Sequence, residues 1–152
     1  MQEPTFFEHV LDAFEGFVDD HHGPLRSRWH RRGLKVWFGG PEARDAREHY
    51  EAQLIRVDGD AALEIGFHAE HRSEADNDAA LARLEPRRRE WRAVLGDDPV
   101  EGEFLGMKGW RRVSEVWPPP DPDDPEAPIE IGARLADYVD AIEPIRASPP
   151  VS

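Results

Sequence analysis

Apolar and polar residues alternate most clearly between positions 48 and 71, on both sides of an Asp58-Gly59 pair. An Asp-Gly pair between two alternating runs is one of the strongest sequence signals for a β-hairpin with a two-residue loop. Pairing outward from this loop also predicts the register, because alternate residues of a strand share a face. The predicted apolar face holds the pairs Leu54–Leu63, Ala52–Ile65 and Tyr50–Phe67, and the polar face holds Gln53–Glu64, Glu51–Gly66 and His49–His68.

A helix and a strand are predicted ahead of this hairpin. Thr5 with Glu8 three positions later has the form of a capping box, and apolar residues follow at helical spacing, which predicts a first helix over 5–19. The basic residues 25–32 are expected to form a loop or a short turn of helix. The alternation over 34–38 indicates a strand.

The segment at positions 41–48 is ambiguous. It is rich in Glu, Ala and Arg and begins with proline, so a short helix could lead into the hairpin. If that helix continued through Ala52, the predicted pair of His49 and His68 would not exist. Both possibilities are open from the sequence.

Helical and strand patterns continue after the hairpin. Gly, Pro and polar clusters separate them and suggest their limits. The predicted elements are a helical region over 74–95 that Pro86 should kink or split, a second hairpin with strands at 101–105 and 110–117, a proline-rich loop at 118–128, and a last helix from about 131 that Pro144 should end.

These elements together predict an α+β fold in the order α-β-β-β-α-β-β-α. Strands joined by tight turns should be antiparallel, which gives an antiparallel sheet of about five strands. The N- and C-terminal helices are expected to pack on its apolar face. We expect a single domain over 1–146 and a frayed tail over 147–152.

Composition excludes several classes of site. The chain has no cysteine, which excludes disulfides, thiol catalysis and cysteine zinc sites. Its formal net charge of -13 disfavours a general binder of phosphate backbones, so nucleic-acid binding is unlikely and only the third hypothesis. No basic segment precedes an apolar run at the N-terminus and no stretch is apolar enough to cross a bilayer, so we expect a cytoplasmic protein without membrane contact.

A cluster of basic and aromatic side chains stands out in this acidic chain. Arginine can pair with phosphate or carboxylate, and tryptophan can stack on flat ligands. We define the basic-aromatic patch as Arg26, Arg28, Trp29, Arg31, Arg32, Lys35 and Trp37. The leading hypothesis is a non-enzymatic module that binds a protein partner or a small anionic ligand through this patch. The ordinary alternative is that these charges pair with acidic helices of the same chain.

The polar face of the first hairpin offers a second hypothesis. His49 and His68 would be cross-strand neighbours about 5 Å apart, with Glu51 and Glu70 one step away. Imidazole and carboxylate are ordinary ligands of transition metals, so these four residues could serve a metal-binding protein or a metal-dependent enzyme. We nevertheless expect an ordinary solvated polar face, as antiparallel sheets usually have. A divalent transition metal is therefore a cofactor only under this alternative, and no other cofactor is predicted.

The remaining motifs carry less chemistry. The run from Asp19 to His22 could bind a metal but is expected to be a plain loop that ends the first helix. Trp91 lies on the apolar stripe of its predicted helix, whereas Trp110 and Trp117 should face opposite sides of the sheet. No serine lies in a recognisable nucleophile motif and no Gly-rich phosphate loop is present, which favours a non-enzymatic protein.

Overall fold

A computed structural model describes residues 5–39, 46–104 and 106–148 of the chain. Within these residues the protein has an α+β fold, with a six-stranded antiparallel sheet and four α-helices. The elements are α1 (Phe6–Phe17), β1 (Leu25–His30), β2 (Gly33–Phe38), β3 (Glu48–Val57), β4 (Asp60–Ala69), α2 (Glu74–Ala82), α3 (Arg88–Leu95), β5 (Val100–Phe104), β6 (Met107–Trp117) and α4 (Ala127–Ala147). No helix in the described residues has the length and apolar character needed to cross a membrane.

The sheet has the strand order β1-β2-β3-β4-β6-β5, and neighbouring strands are antiparallel. The predicted fold class is confirmed, with one strand more than expected. The difference is β1, because the expectation of a loop or helical turn over 25–32 is wrong. This segment pairs with β2 across a tight turn at Arg31 and Arg32. Its period-two pattern is present in the sequence, but arginines on one face and few apolar residues on the other obscure it.

The register predicted for the first hairpin is confirmed in every pair from Leu54–Leu63 to His49–His68. Asp58 and Gly59 both have positive φ, 51° and 85°, as a two-residue turn of this type requires. Because β3 begins at Glu48, no helix continues through Ala52. Positions 41–45 of the ambiguous segment lie outside the described residues.

The two terminal helices cover the apolar face of the sheet, as predicted. α1 begins with the capping box of Thr5 and Glu8 and contacts β1 and β2, whereas α4 contacts β3 and β4. The two helices also pack against each other. Phe14 and Tyr50 are fully buried in the resulting core, and so is Trp91 of α3.

Two prolines have different effects on the helices. Pro86 separates α2 from α3 through a one-turn 3₁₀ helix at Glu85–Arg87, which confirms the predicted split. The expectation that Pro144 ends the last helix is wrong, since α4 continues to Ala147. Arg146 in this last turn bonds Glu48 of β3, at 3.0 Å from its Nε to the carboxylate, and so holds the helix end on the sheet. The frayed tail is predicted over 147–152; Ala147 is the last residue of α4, and positions 149–152 lie outside the described residues.

Candidate metal centre

The centre of the polar sheet face is buried, contrary to the expectation of a solvated face. His49 and His68 have no exposed surface, and Glu64 beside them is 1% exposed. Phe104 of β5 lies edge-on to the His68 ring with centroids 4.5 Å apart, and Trp110 lies edge-on to Phe104 at 5.9 Å. The strands β5 and β6 therefore supply an aromatic cover to this face.

Four side chains converge beneath this cover, and we call them the His/Glu cluster: His49, Glu51, His68 and Glu70. His49 Nε2 lies 3.0 Å from a Glu51 oxygen and 3.3 Å from a Glu70 oxygen. His68 Nδ1 lies 3.2 and 3.3 Å from the same two oxygens. Tetrahedral ligands with metal bonds of about 2.1 Å are separated by about 3.4 Å. The four nitrogen–oxygen separations are close to this value, and all four ligand atoms lie within 4.8 Å of one another.

Local strand geometry explains this convergence. His49 and Glu51 are alternate residues of β3, so they share a face, and the register sets His49 opposite His68. Glu51 lies opposite Gly66, and a Cβ atom at Gly66 would clash with the Val113 carbonyl oxygen, so glycine at this position lets β6 approach closely. Glu70 directly follows β4. Its backbone N–H donates to the Arg47 carbonyl at 2.7 Å, which continues the strand pairing by one residue and places Glu70 on the same face as His68.

The far nitrogen of each imidazole is held by an acceptor. His49 Nδ1 lies 2.7 Å from the Ala46 carbonyl oxygen, and because a carbonyl only accepts, this nitrogen carries the proton. His68 Nε2 lies 2.8 Å from a Glu64 oxygen and donates to it in the same way. The second nitrogen of each ring then points into the cluster, where it offers a lone pair to a metal when the imidazole is neutral. Imidazoles that bind metals are oriented by second hydrogen bonds of this kind.

Glu64 is itself fixed from several sides. It accepts hydrogen bonds from the Gln53 amide and the Ser114 hydroxyl, both at 2.7 Å. Arg112 donates to the Ser114 hydroxyl at 2.9 Å, which brings a positive charge near this buried carboxylate. Burial opposes ionisation of Glu64, but the His68 charge and these hydrogen bonds lower its pKa below the usual range. The orienting group of His68 is therefore an ionised carboxylate.

The cluster concentrates negative charge. Burial by itself would raise the pKa of Glu70, yet hydrogen bonds from both imidazoles lower it to about 2. The same contacts lower the pKa of Glu51 strongly against its burial. Burial disfavours protonation of His68, but the facing carboxylates, Glu64 first, raise its pKa well above 6.5. This raised pKa favours the charged form of His68, which offsets part of the negative charge, and a divalent cation could supply positive charge in its place.

The structure divides the basic-aromatic patch among three surfaces. Arg26, Arg28, Lys35 and Trp37 lie on the polar face, because Arg28 pairs with Lys35 and Lys35 pairs with Glu51 of the His/Glu cluster. Trp29 pairs with Leu34 and so lies on the helix-covered face. Arg31 and Arg32 form the β1–β2 turn. The seven residues are contiguous in sequence but do not share one surface.

The other sequence candidates have structural partners. His22 Nε2 lies 2.7 Å from a carboxylate oxygen of Asp140, which ties the loop after α1 to α4. His21 bonds Asp19 within the same loop. Among the described residues, the His/Glu cluster alone brings three or more potential metal ligands together. Trp117 donates to Glu115 on the helix side, whereas Trp110 packs over Phe104 on the other face, as their parity predicts.

Sequence reasoning did not assign a role to Glu64, Ser114, Arg112 or Phe104. The sequence does contain a signal for Glu64. It lies four residues before His68 in the same strand, and residues an even number of positions apart share a face. The others come from β5 and β6, and their approach to the cluster depends on strand order. Comparisons of the chain with protein-family models, curated proteins and solved structures find no match.

Proposed function

We propose that the protein binds a divalent transition metal ion through the His/Glu cluster. One observation carries this proposal: two imidazoles, each with its far nitrogen bonded to an acceptor, place their second nitrogens 3.0–3.3 Å from the same two carboxylate oxygens. A pair of surface histidines without a ligand would not require both rings to be held in fixed orientations by buried acceptors. Burial adds support, because the rings are fully covered and the carboxylates are only 12% and 13% exposed.

The ligand set favours zinc or a neighbouring ion. Imidazole suits Zn²⁺, Fe²⁺ and Ni²⁺, and the carboxylates extend the range to Mn²⁺, whereas no thiolate is present to select softer ions. Two neutral imidazoles and two carboxylates balance one divalent cation. With Zn²⁺ in tetrahedral geometry the four side chains complete the coordination, as in structural sites. An octahedral ion would keep two exchangeable positions, which a metal-dependent enzyme would require.

The test is metal titration of chelator-treated protein purified without a His tag. We expect saturable uptake of a single Zn²⁺ per chain, and Co²⁺ should give the visible absorption of a four-coordinate site. The double variant His49→Gln/His68→Gln should lose this uptake, because both nitrogen ligands are removed. His9→Gln, at an exposed position of α1, is the matched control and should bind as the native chain does.

Two results would refute the metal site. One is the absence of saturable uptake of zinc, cobalt, manganese and iron(II) by the native chain. The other is native-like uptake by the double variant with an unchanged circular dichroism spectrum. If the double variant does not fold, Glu70→Gln replaces it, since this residue lies just after β4 and the substitution removes one ligand charge at nearly constant volume. That variant should weaken zinc binding at least tenfold.

Binding of a protein partner or anionic ligand by the whole basic-aromatic patch stays a prediction. Its division among three surfaces weighs against a single binding face. Four of its members flank the His/Glu cluster on the polar face, and the turn residues Arg31 and Arg32 belong to a separate cleft.

A further inference from the structure

A second candidate site lies at the opposite end of β3 from the His/Glu cluster. It is a cleft of about 360 Å³ between the β1–β2 turn, the end of β3, the start of α1 and the loop after β6. This volume falls within the range of small-ligand pockets, which run from about 300 to 1,000 Å³. We call it the arginine cleft.

The walls of the arginine cleft combine positive charge with apolar surface. Arg31, Arg32 and Arg56 are the charged residues of its lining, and the apolar lining includes Phe6, Phe7 and Leu54. Three prolines of the loop after β6 complete it. None of the described residues that line it is acidic, although the chain has 32 acidic and 19 basic residues. This concentration of one sign of charge is therefore a local feature.

A neighbouring cleft shows the contrast. It has a volume of about 660 Å³ and shares Phe6 and Pro122 with the arginine cleft, but it is lined by Asp12, Asp123 and Asp124. The two clefts thus lie side by side with opposite charge. An anion would be repelled from the acidic cleft and attracted to the basic one, so the pair of clefts favours one position for an anionic ligand.

Backbone contacts hold the cationic rim in place. The Leu54 N–H donates to the Arg32 carbonyl at 2.8 Å, which fixes the β1–β2 turn beside the end of β3. Arg56 Nη1 donates to the Gly59 carbonyl at 3.0 Å, which anchors its guanidinium at the hairpin end. A planar guanidinium retains further N–H groups and can bind a carboxylate through two of them. The rim is therefore suited to a small carboxylate head group.

We propose that the arginine cleft binds a small amphipathic anion, an alkyl carboxylate whose head group meets the arginines and whose chain lies on the phenylalanine, leucine and proline walls. Both parts of this ligand are needed to match both parts of the lining. Each buried methylene should strengthen binding roughly fourfold. This site does not depend on the proposed metal centre.

Calorimetric titration of the full chain with octanoate tests this proposal. We expect saturable binding of a single octanoate, with about fourfold weaker binding for each methylene removed on going to hexanoate. Octan-1-ol, which keeps the chain but not the charge, should bind at least tenfold more weakly. Acetate, which keeps the charge but not the chain, should show no saturable binding.

Variants locate the site. The double variant Arg31→Glu/Arg56→Glu should weaken octanoate binding at least tenfold, because it reverses charge at the rim. Arg89→Glu, at an exposed position of α3 away from the cleft, makes the same kind of change and should bind octanoate as the native chain does. The His49→Gln/His68→Gln variant should also bind octanoate normally, which keeps this site distinct from the metal centre.

Three outcomes would overturn the proposal. Equal affinity for octanoate and octan-1-ol would show an apolar cleft without anion selectivity. Displacement of octanoate by inorganic phosphate at equal concentration would show a general anion site. Native-like octanoate binding by a correctly folded Arg31→Glu/Arg56→Glu variant would place the ligand elsewhere on the molecule.

Discussion

At the residue scale, the protein manages buried carboxylates by surrounding each with donors. Glu115 of β6 is 5% exposed and lies on the helix-covered face. It accepts from Arg134 at 2.7 and 3.0 Å, from the Tyr138 hydroxyl at 2.6 Å and from the Trp117 indole at 2.7 Å. No buried side-chain nitrogen or oxygen of the described residues lacks a partner. Burial of such a charge is tolerated because its hydrogen-bonding capacity is filled.

We expect Glu115→Ala to lower the free energy of unfolding by about 3 kcal/mol, since it removes the buried carboxylate that Arg134 and Tyr138 bond and leaves Arg134 only the Leu95 carbonyl and the exposed Asp137. Urea denaturation followed by circular dichroism measures this loss. Glu90→Ala removes the carboxylate of the exposed Arg87–Glu90 pair and should leave the urea midpoint unchanged, because solvent screens such pairs. Equal effects of the two substitutions would contradict the role assigned to Glu115.

At the element scale, α1 and α4 meet at a glycine. A Cβ atom on Gly132 would lie 2.7 Å from the Phe14 backbone nitrogen and 2.8 Å from the Val10 carbonyl oxygen. Contacts with backbone atoms cannot be relieved by rotating a side chain, so any larger residue must push the helices apart. The close crossing of the two terminal helices therefore depends on glycine at this position.

Gly132→Ala should destabilise the protein by about 1–3 kcal/mol through overpacking between the helices. Gly16→Ala is the control, because a Cβ there meets nothing within 4 Å. Alanine is the better helix former, so this control should raise stability by roughly 0.5 kcal/mol. Thermal unfolding should therefore show a lower midpoint temperature for Gly132→Ala and a higher one for Gly16→Ala. A stable Gly132→Ala variant would mean that α1 and α4 are not in close contact.

Element prediction succeeded where the signal was local and failed where a partner decided the outcome. The Asp58-Gly59 turn, the alternation beside it and the Thr5 capping box each act within a few residues, and each was predicted. β1 was missed because it becomes a strand by pairing with β2. The extension of α4 beyond Pro144 was missed because Arg146 bonds to Glu48, a residue distant in sequence.

At the scale of the whole molecule, the sheet separates two kinds of interior. One face packs apolar side chains against α1 and α4, and the other encloses the His/Glu cluster under Phe104 and Trp110. A metal bound in the cluster would join β3 to the end of β4 at the middle of the sheet. Because the unfolded chain cannot present these ligands together, metal binding should be linked to global stability.

Zinc should therefore raise the unfolding temperature, and a chelator should reverse the rise. At free zinc 100-fold above the dissociation constant, the expected stabilisation is about 2.7 kcal/mol. Differential scanning calorimetry with and without zinc measures it. The His49→Gln/His68→Gln variant should show no such rise. A comparable zinc-dependent rise in that variant would assign the stabilisation to zinc bound elsewhere.

By itself, the sequence determined the fold class, the hairpin register and the fact that His49, His68 and their two glutamates share a face. Alternation and turn chemistry determine these properties, and both act between near neighbours in the chain. Only the tertiary structure decided that this face is buried, that Glu64 and Ala46 orient the two imidazoles, and that Arg31, Arg32 and Arg56 line a common cleft. Those properties depend on which distant strand lies alongside, and such packing leaves no local pattern in the sequence.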